Sequence, residues 1–436
     1  MYRKIFSVFF AAIVITASGI AFMSDQEPAV NSNMKKQVNL DYSDQYPLPE
    51  IKEHEYEKSD TDTPKIIKKA ENIKTRVLNK IDHKKNEYRD KVNDDFRYKT
   101  RMVVLKNYYQ RWLLGMDMTT SFSTENSLTD WLDTPIQYSK NSDYLCGIID
   151  NVDITENVDK LIDFKEYLES RNIDFVYFHT PGKYASNEAY KNYSSEKDAE
   201  LLDKLNENDI DHIYFDDHMP KDEDEYLHMF YKTDHHWLPS TGIYANKVLC
   251  EYLNNNYGYD IDTSVFELNN YDVEIAEKPF LGSWGKKVTE AYAKPEPFEI
   301  YYPKYKLDLD VYNTRYDEYT HGDIKDTLFN YDVFYEEDIY SRNNYGFYGL
   351  WDPAYCKIHN NEIDDGSHVL MIKTSFADCM YSYLPAVFED IDVIDLRYFG
   401  GSLESFIEKN KPDIVIMVYG IASFDSTYTE EQFDFR

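Results

Sequence analysis

From Cys146 onward the apolar positions alternate between two periods. "ENVDKLIDFKEYLESRNI" repeats its apolar residues every three or four positions, the spacing of a helix with one buried face. "DFVYFHTP" is a compact apolar run closed by proline and predicts a buried strand. "SEKDAELLDKLNENDI" returns to helical spacing, with Ser195 placed to cap it, and "DHIYF" is a second short strand. Far downstream the rhythm resumes. "HVLMIKTS" predicts a strand, "FADCMYSYLPAVFE" a helix, "DVIDLRYF" a strand, "SLESFIEKN" a helix and "DIVIMVYG" a last strand. Helices alternating with compact apolar strands predict βαβ units and a parallel sheet flanked by helices. This α/β domain spans about residues 140–430. Between about 262 and 365 the pattern turns aromatic, acidic and irregular. That section reads as an insert, β-rich or loop-rich, or as a lid interrupting one sheet.

Upstream, three further segments differ in pattern. In residues 64–115, Ile66, Ala70, Ile73, Val77, Ile81, Tyr88, Val92 and Phe96 recur at helical steps. They predict a long amphipathic arm, broken near Asp94, that packs on the domain or stands off as a stalk. Residues 25–63 are polar and proline-punctuated, a linker. The chain opens "MYRKIFSVFFAAIVITASGIAFMSDQEP", where Arg3 and Lys4 precede an uncharged stretch from Ile5 to Met23. Residues 1–24 therefore read as a signal peptide, with Gly19 and Ala21 as small residues before a cleavage site, or as a membrane anchor. Either reading places the rest of the chain outside the cytoplasm, secreted or held at the cell envelope by its N-terminus.

Charge narrows the partners. The formal net charge is -33, which argues against nucleic acid because phosphates would be repelled. Between Pro64 and Arg111 there are nonetheless 15 basic against 6 acidic residues, a basic arm on an acidic body. The 41 tyrosines fill half-buried strand faces or stack on sugar rings. Cys146, Cys250, Cys356 and Cys379 form no C-x-x-C pair, so a zinc ribbon is excluded, while an exported chain allows one or two disulfides.

Ligands of open α/β sheets sit beyond the carboxyl ends of strands, which points to "HTPGK", "KTSFADC" and "VYG". Ser375 stands where "VLMIK" stops and a helix is expected, so its hydroxyl projects from the strand end next to free amides. Serine is also an ordinary N-cap. A nucleophilic serine needs a base and an acid to orient that base. "YKTDHHWLPSTG" offers both, because His236 can take the proton and Asp234, two positions earlier in an extended segment, can face the same way. Trp237 would wall the site, and Ser240 or Thr241 would cap the helix that follows. The same residues admit a metal site, with His212, His218 and His228 upstream, although adjacent histidines seldom meet at one ion and no H-x-x-x-H accompanies them. They also admit plain structural histidines, the reading given to His235. Lys183 is a cation reaching over substrate or an exposed loop lysine. "GSWG", residues 282–285, is a lid or a tight turn.

"TDHHW" with "GIYANKV", the run from "VLMIKTSFADC" to "DLRYF", "KPDIVIMVYG" and "YFHTPGKYASN" together resemble the DHHW protein family of Gram-positive bacteria, over about residues 140–425. That family resembles the SGNH-like O-acetyltransferases of alginate and other exopolysaccharides. The resemblance implies an SGNH-hydrolase-like fold and a triad of Asp234, His236 and Ser375. It also implies an arginine and a tyrosine near the serine, for which strand-end placement suggests Arg397 and Tyr419. It implies no cofactor, a polysaccharide acceptor and a membrane-bound O-acyltransferase as acyl supplier. Thr374 departs from the pattern, since the family carries aspartate before the serine. An O-acetylesterase, or a non-catalytic carbohydrate-binding or assembly protein, would resemble the family equally.

Overall fold

The computed structural model describes residues 99–114, 136–138, 142–147, 152–184, 191–424 and 430–435. The expected signal or anchor, the linker and most of the helical arm lie outside the described residues. In chain order the principal elements are α1 (Lys99–Leu114), β1 (Ile136–Tyr138), β2 (Leu145–Gly147), α2 (Thr155–Glu169), β3 (Asp174–His179), α3 (Lys191–Glu207), β4 (His212–Tyr214) and α4 (Pro239–Tyr257). There follow β5 (Tyr271–Ile275), α5 (Ser283–Val288), β6 (Glu299–Pro303), β7 (Leu309–Asn313), β8 (Glu318–Gly322) and β9 (Tyr355–Asn360). The chain closes with β10 (His368–Lys373), α6 (Asp378–Tyr381), β11 (Asp390–Ile394), α7 (Leu403–Asn410) and β12 (Ile414–Tyr419).

Eight strands form one sheet in the order β4-β3-β12-β10-β11-β9-β7-β8. The five apolar runs of the sequence are its parallel half, β4 to β11. They read as unbroken apolar runs because both faces are covered. Val176 and Phe178 of β3 point to one core with Ile243, Val248 and Leu249 of α4. Phe175 and Tyr177 point to the other, with Leu161 and Phe164 of α2, Leu201 of α3 and Phe406 of α7. Helices thus sandwich the sheet, and every parallel strand delivers its carboxyl end to the same rim.

The insert is where expectation and structure part. It is β-rich, holding β5 to β9, but it extends the sheet it was expected to interrupt, because β7, β8 and β9 continue the main sheet antiparallel beyond β11. In β9, Cys356 and Ile358 are buried while Lys357 faces solvent. Such one-sided alternation over five or six residues is a faint signal beside a run buried on both faces. Only β5 and β6 pair apart from that sheet within the insert.

Three smaller expectations also change. Ser195 lies inside α3 and does not cap it. Neither Ser240 nor Thr241 caps α4; its cap residue is Leu238, Pro239 supplies the first turn, and the Thr241 hydroxyl donates to the Met229 carbonyl at 2.8 Å. The helix expected after Ser375 is broken into short turns, with Pro385 inside the last of them. Cys146, Cys250, Cys356 and Cys379 are all buried as thiols, and no disulfide forms among them. Of the arm, α1 alone is described, and it touches the domain. Asn107 donates to the Val288 carbonyl at 3.2 Å, and Arg111 donates to the Ala291 carbonyl. Among the described residues, no helix is long and apolar enough to cross a membrane.

Candidate active site

β10 lies between β12 and β11, near the middle of the eight-stranded sheet, and stops at Lys373. Thr374 remains extended and Ser375 begins a tight helical turn, which swings the serine side chain out of the strand line. Ser375 and Phe376 are only partly buried, whereas the strand behind them is buried from Val369 to Lys373. The backbone N–H groups of Ser375 and Phe376 have no hydrogen-bond partner among the described residues. Free amides beside a partly accessible hydroxyl are what an oxyanion requires.

The Asp-His-His-Trp stretch reaches this point from the opposite side. The chain folds back on itself there: Phe230 bridges Trp237, and the Tyr231 amide donates to the His236 carbonyl at 3.2 Å. Asp234 and His236 consequently face the same way. Asp234 Oδ1 accepts from His236 Nδ1 at 2.5 Å and from the His236 backbone amide at 3.0 Å. With Nδ1 protonated toward the carboxylate, Nε2 is left as an acceptor, and it lies 2.7 Å from Ser375 Oγ. Burial pushes the Asp234 carboxyl upward, but the charges of His235 and His236 and the hydrogen bonds from His236 outweigh it and hold the group well below the usual range. The acid is therefore an anion whenever the imidazole needs one.

Several residues fix this geometry. Tyr345 lies flat on the His236 ring, with centroids 3.9 Å apart and planes 9° apart. Trp237 is fully buried, and its Nε1 donates to the Phe376 carbonyl at 2.9 Å, tying the His236 loop to the Ser375 turn. The second Asp234 oxygen accepts the Ser283 amide at 2.5 Å. "GSWG" is thus neither lid nor simple turn. It opens α5 against the acid, and a side chain at Gly282 would meet Asp234 Cβ at 2.3 Å. Glu296 accepts from the Lys232 and Thr233 amides at 2.8 and 2.7 Å, which anchors the loop's entry.

Below the serine lies a buried charge cluster. Lys373 donates to Asp352 at 2.5 Å and to Asp378 at 2.6 Å, with Asp395 at 3.4 Å. Arg397 pairs with Asp395 at 2.5 Å and reaches Asp352 at 3.2 Å. Two cations thus face three carboxylates around the end of β10. Burial favours neutral lysine, yet the three carboxylates prevail and hold Lys373 well above its usual range.

The site residues expected from sequence are therefore distributed unevenly. Asp234, His236 and Ser375 come together. Arg397 stands at the same rim, where its charge bears on His235, although its guanidinium is already committed to two carboxylates. Trp237 braces the turn from beneath and has no exposed surface to offer a substrate. Lys183 is neither a cation over substrate nor an exposed loop residue. It is buried, its ammonium donates to the Tyr231 and Lys232 carbonyls, and burial pulls its pKa down to about 8. Tyr419 is wholly buried and its hydroxyl donates to the Gln432 carbonyl at 3.0 Å, away from the serine. Both errors have one cause, since placement at a strand end does not say which way a side chain turns. Tyr345, Ser283, Glu296 and the Lys373 cluster were not anticipated. The one available signal was a lysine ending a fully apolar strand, which demands buried counter-charges.

Donor atoms of Asp234, His235 and His236 lie within 4.8 Å of one another, a spacing a metal ion could use. His236 already spends one nitrogen on Asp234 and the other on Ser375, and His235 Nδ1 lies 2.9 Å from Ser283 Oγ. An ion there would have to break those contacts. A cleft of about 340 Å³ lies elsewhere, lined by His212, Tyr214, Asp217, His218 and Glu251. None of the three triad residues lines it, and no comparable convergence of base and nucleophile marks it.

The fold and this rim define an SGNH-hydrolase-like α/β protein with a mixed sheet. Within that class, residues 194–394 match the DHHW protein family, the one the sequence resembles. No curated protein sequence matches the chain. Among solved structures, a DHHW family protein from Eubacterium siraeum is 20% identical with a TM-score of 0.53, covering 69% of this chain and 94% of that one. Bacillus cereus PatB1 is 18% identical with a TM-score of 0.54, covering 70% of this chain and 100% of that one. PatB1 has also been solved with a sulfonyl adduct. At these identities the likeness shows a shared fold.

Proposed function

We propose that this chain is an extracytoplasmic, serine-dependent acyltransferase that places an acyl group, acetyl by family resemblance, on a hydroxyl of a cell-surface or secreted polysaccharide. The observation that carries the proposal is the continuous relay from Asp234 through His236 to Ser375, at 2.5 and 2.7 Å. Ser375 Oγ attacks the acyl carbonyl of the donor while His236 Nε2 takes its proton. The negative charge on the carbonyl oxygen falls to the amides of Ser375 and Phe376. The leaving group departs with the proton from His236 and leaves an acyl-serine. A sugar hydroxyl then gives its proton to His236 and attacks the acyl-serine, which releases the ester and restores the serine. Asp234 holds the imidazole tautomer throughout.

The basic and apolar N-terminus supports the extracytoplasmic setting, and a membrane-bound O-acyltransferase is the proposed source of the acyl group. Water in place of the sugar would make the same site an esterase, so the acceptor decides the outcome. The test is covalent. A sulfonyl fluoride reacts with a serine only when its hydroxyl is activated. We expect one sulfonyl group per chain, mapped to Ser375, none on a Ser375→Ala variant, and no effect of a chelator. Equal labelling of both proteins, or labelling that a chelator abolishes, would overturn the proposal.

A further inference from the structure

We propose that the sheet rim running outward from Ser375 to the β7–β8 turn is a binding platform for a neutral polysaccharide chain, the acceptor of the reaction. This rests on the acyl-transfer reading. The register of the strands brings the platform's parts to one edge. Ile372 near the end of β10 pairs with Ile394 at the end of β11, Ile394 with Tyr355 at the start of β9, Cys356 with Asn313 at the end of β7, and Asn313 with Glu318 at the start of β8. Four strand spacings make about 19 Å from the nucleophile's strand to β8, the length of a short oligosaccharide.

Aromatic rings occur all along this edge. Tyr398, just past β11, is 56% exposed and has the Arg397 guanidinium 5.2 Å from its ring centre. Next comes Trp351, partly exposed, with the Arg315 guanidinium 4.5 Å from its ring and donating to its carbonyl at 2.6 Å. Tyr319 closes the row. It is 82% exposed and packs at a tilt against Tyr312, with centroids 4.4 Å apart and planes 30° apart. Exposed aromatics gathered at the sheet edge that also carries Ser375 are the sort of surface that marks a binding site. Rings held by neighbouring side chains lose little freedom on binding, and they offer a flat apolar face to a sugar ring.

Charge selects the kind of polymer. The chain carries -33, and Asp317 and Glu318 stand exposed beside Tyr319. Arg397 is paired with Asp395 and Asp352, whereas Arg315, held at the Trp351 carbonyl, keeps its charge and offsets only one of the two exposed carboxylates. A polyuronate or polyphosphate would be repelled, whereas a neutral chain would not. Part of the tyrosine excess thereby gains a use.

Affinity electrophoresis of the full chain carrying Ser375→Ala tests this without turnover, in gels holding a mixed-linkage β-glucan, a galactomannan or polygalacturonate. The expected result is retardation by a neutral polymer and not by polygalacturonate. Adding Tyr319→Ala and Tyr398→Ala should weaken binding about fivefold or more per ring. Tyr335→Ala, an equally exposed tyrosine elsewhere (78%), should leave retardation unchanged. Any one of three outcomes would overturn the platform: no retardation by the neutral gels, equal retardation of the double variant, or preference for polygalacturonate. Concentration-dependent dimerisation lost in the double variant, without glycan retardation, would instead assign the patch to a second copy of the chain. Each of these failures leaves sulfonylation of wild-type Ser375 intact, so it is distinguishable from failure of the acyl-transfer reading.

Discussion

His235 is the residue whose environment is most demanding. It lies tilted against His236, with ring centroids 3.7 Å apart and planes 38° apart, and its Nδ1 meets Ser283 Oγ. Burial, with the neighbouring His236 charge second, pulls its pKa from 6.5 to about 3, against the opposing pull of Asp234. The unfolded chain therefore binds a proton at this position between pH 6.5 and about 3 that the native chain does not, and stability must fall as pH falls through that window. Asp234 acts lower. Its depressed carboxyl contributes stability that is present above its ordinary value of 3.8 and is lost only beneath it. A urea-midpoint series from pH 7 to 4 should slope downward for the wild type and more gently for His235→Asn. Parallel curves would contradict the assignment. At this scale the sequence was informative for residues whose chemistry is directional. Aspartate and histidine two apart in an extended loop, with a serine at a strand end, constrain one another strongly. Lys183 and Tyr419 had no such partner in the pattern, and the packing of each could not be anticipated.

Among the elements, α5 gives the clearest mechanical test. Gly282 has φ -67° and ψ 176°, a conformation open to any residue, so substitution carries no backbone strain. Its Cα nevertheless sits so close to Asp234 that an added Cβ would lie 2.6 Å from the Asp234 Cα and 2.3 Å from its Cβ. Backbone cannot step aside as a flexible side-chain tip can. Gly282→Ala should therefore displace the acid and cut ester turnover by about 10²-fold, because misplacements near 1 Å carry that penalty. The protein should remain folded by circular dichroism, and turnover equal to wild type would show that α5 does not position Asp234. The elements legible in sequence were those buried on both faces, β3, β10 and β12 above all. β7, β8 and β9 were not, since each is short, solvated on one face and specified by its neighbours more than by its own residues.

Over the whole molecule, one continuous sheet ties the N-terminal βαβ units, the insert and the C-terminal strands into a single rim. The triad depends on segments about 140 residues apart in sequence, from Asp234 to Ser375, and the rim platform depends on strands of the insert. Long-range assembly of this kind leaves little local trace, which is why the insert's role emerged only from strand order. The central claim is that Ser375 is a nucleophile activated by Asp234 and His236. Hydrolysis of p-nitrophenyl acetate by wild type, Ser375→Ala and Asp234→Asn, at matched concentration and with melting curves confirming folded protein, tests it most directly. The expected losses are about 10³-fold or more for Ser375→Ala and on the order of 10³ to 10⁴-fold for Asp234→Asn. Rates for Ser375→Ala indistinguishable from wild type would contradict the account.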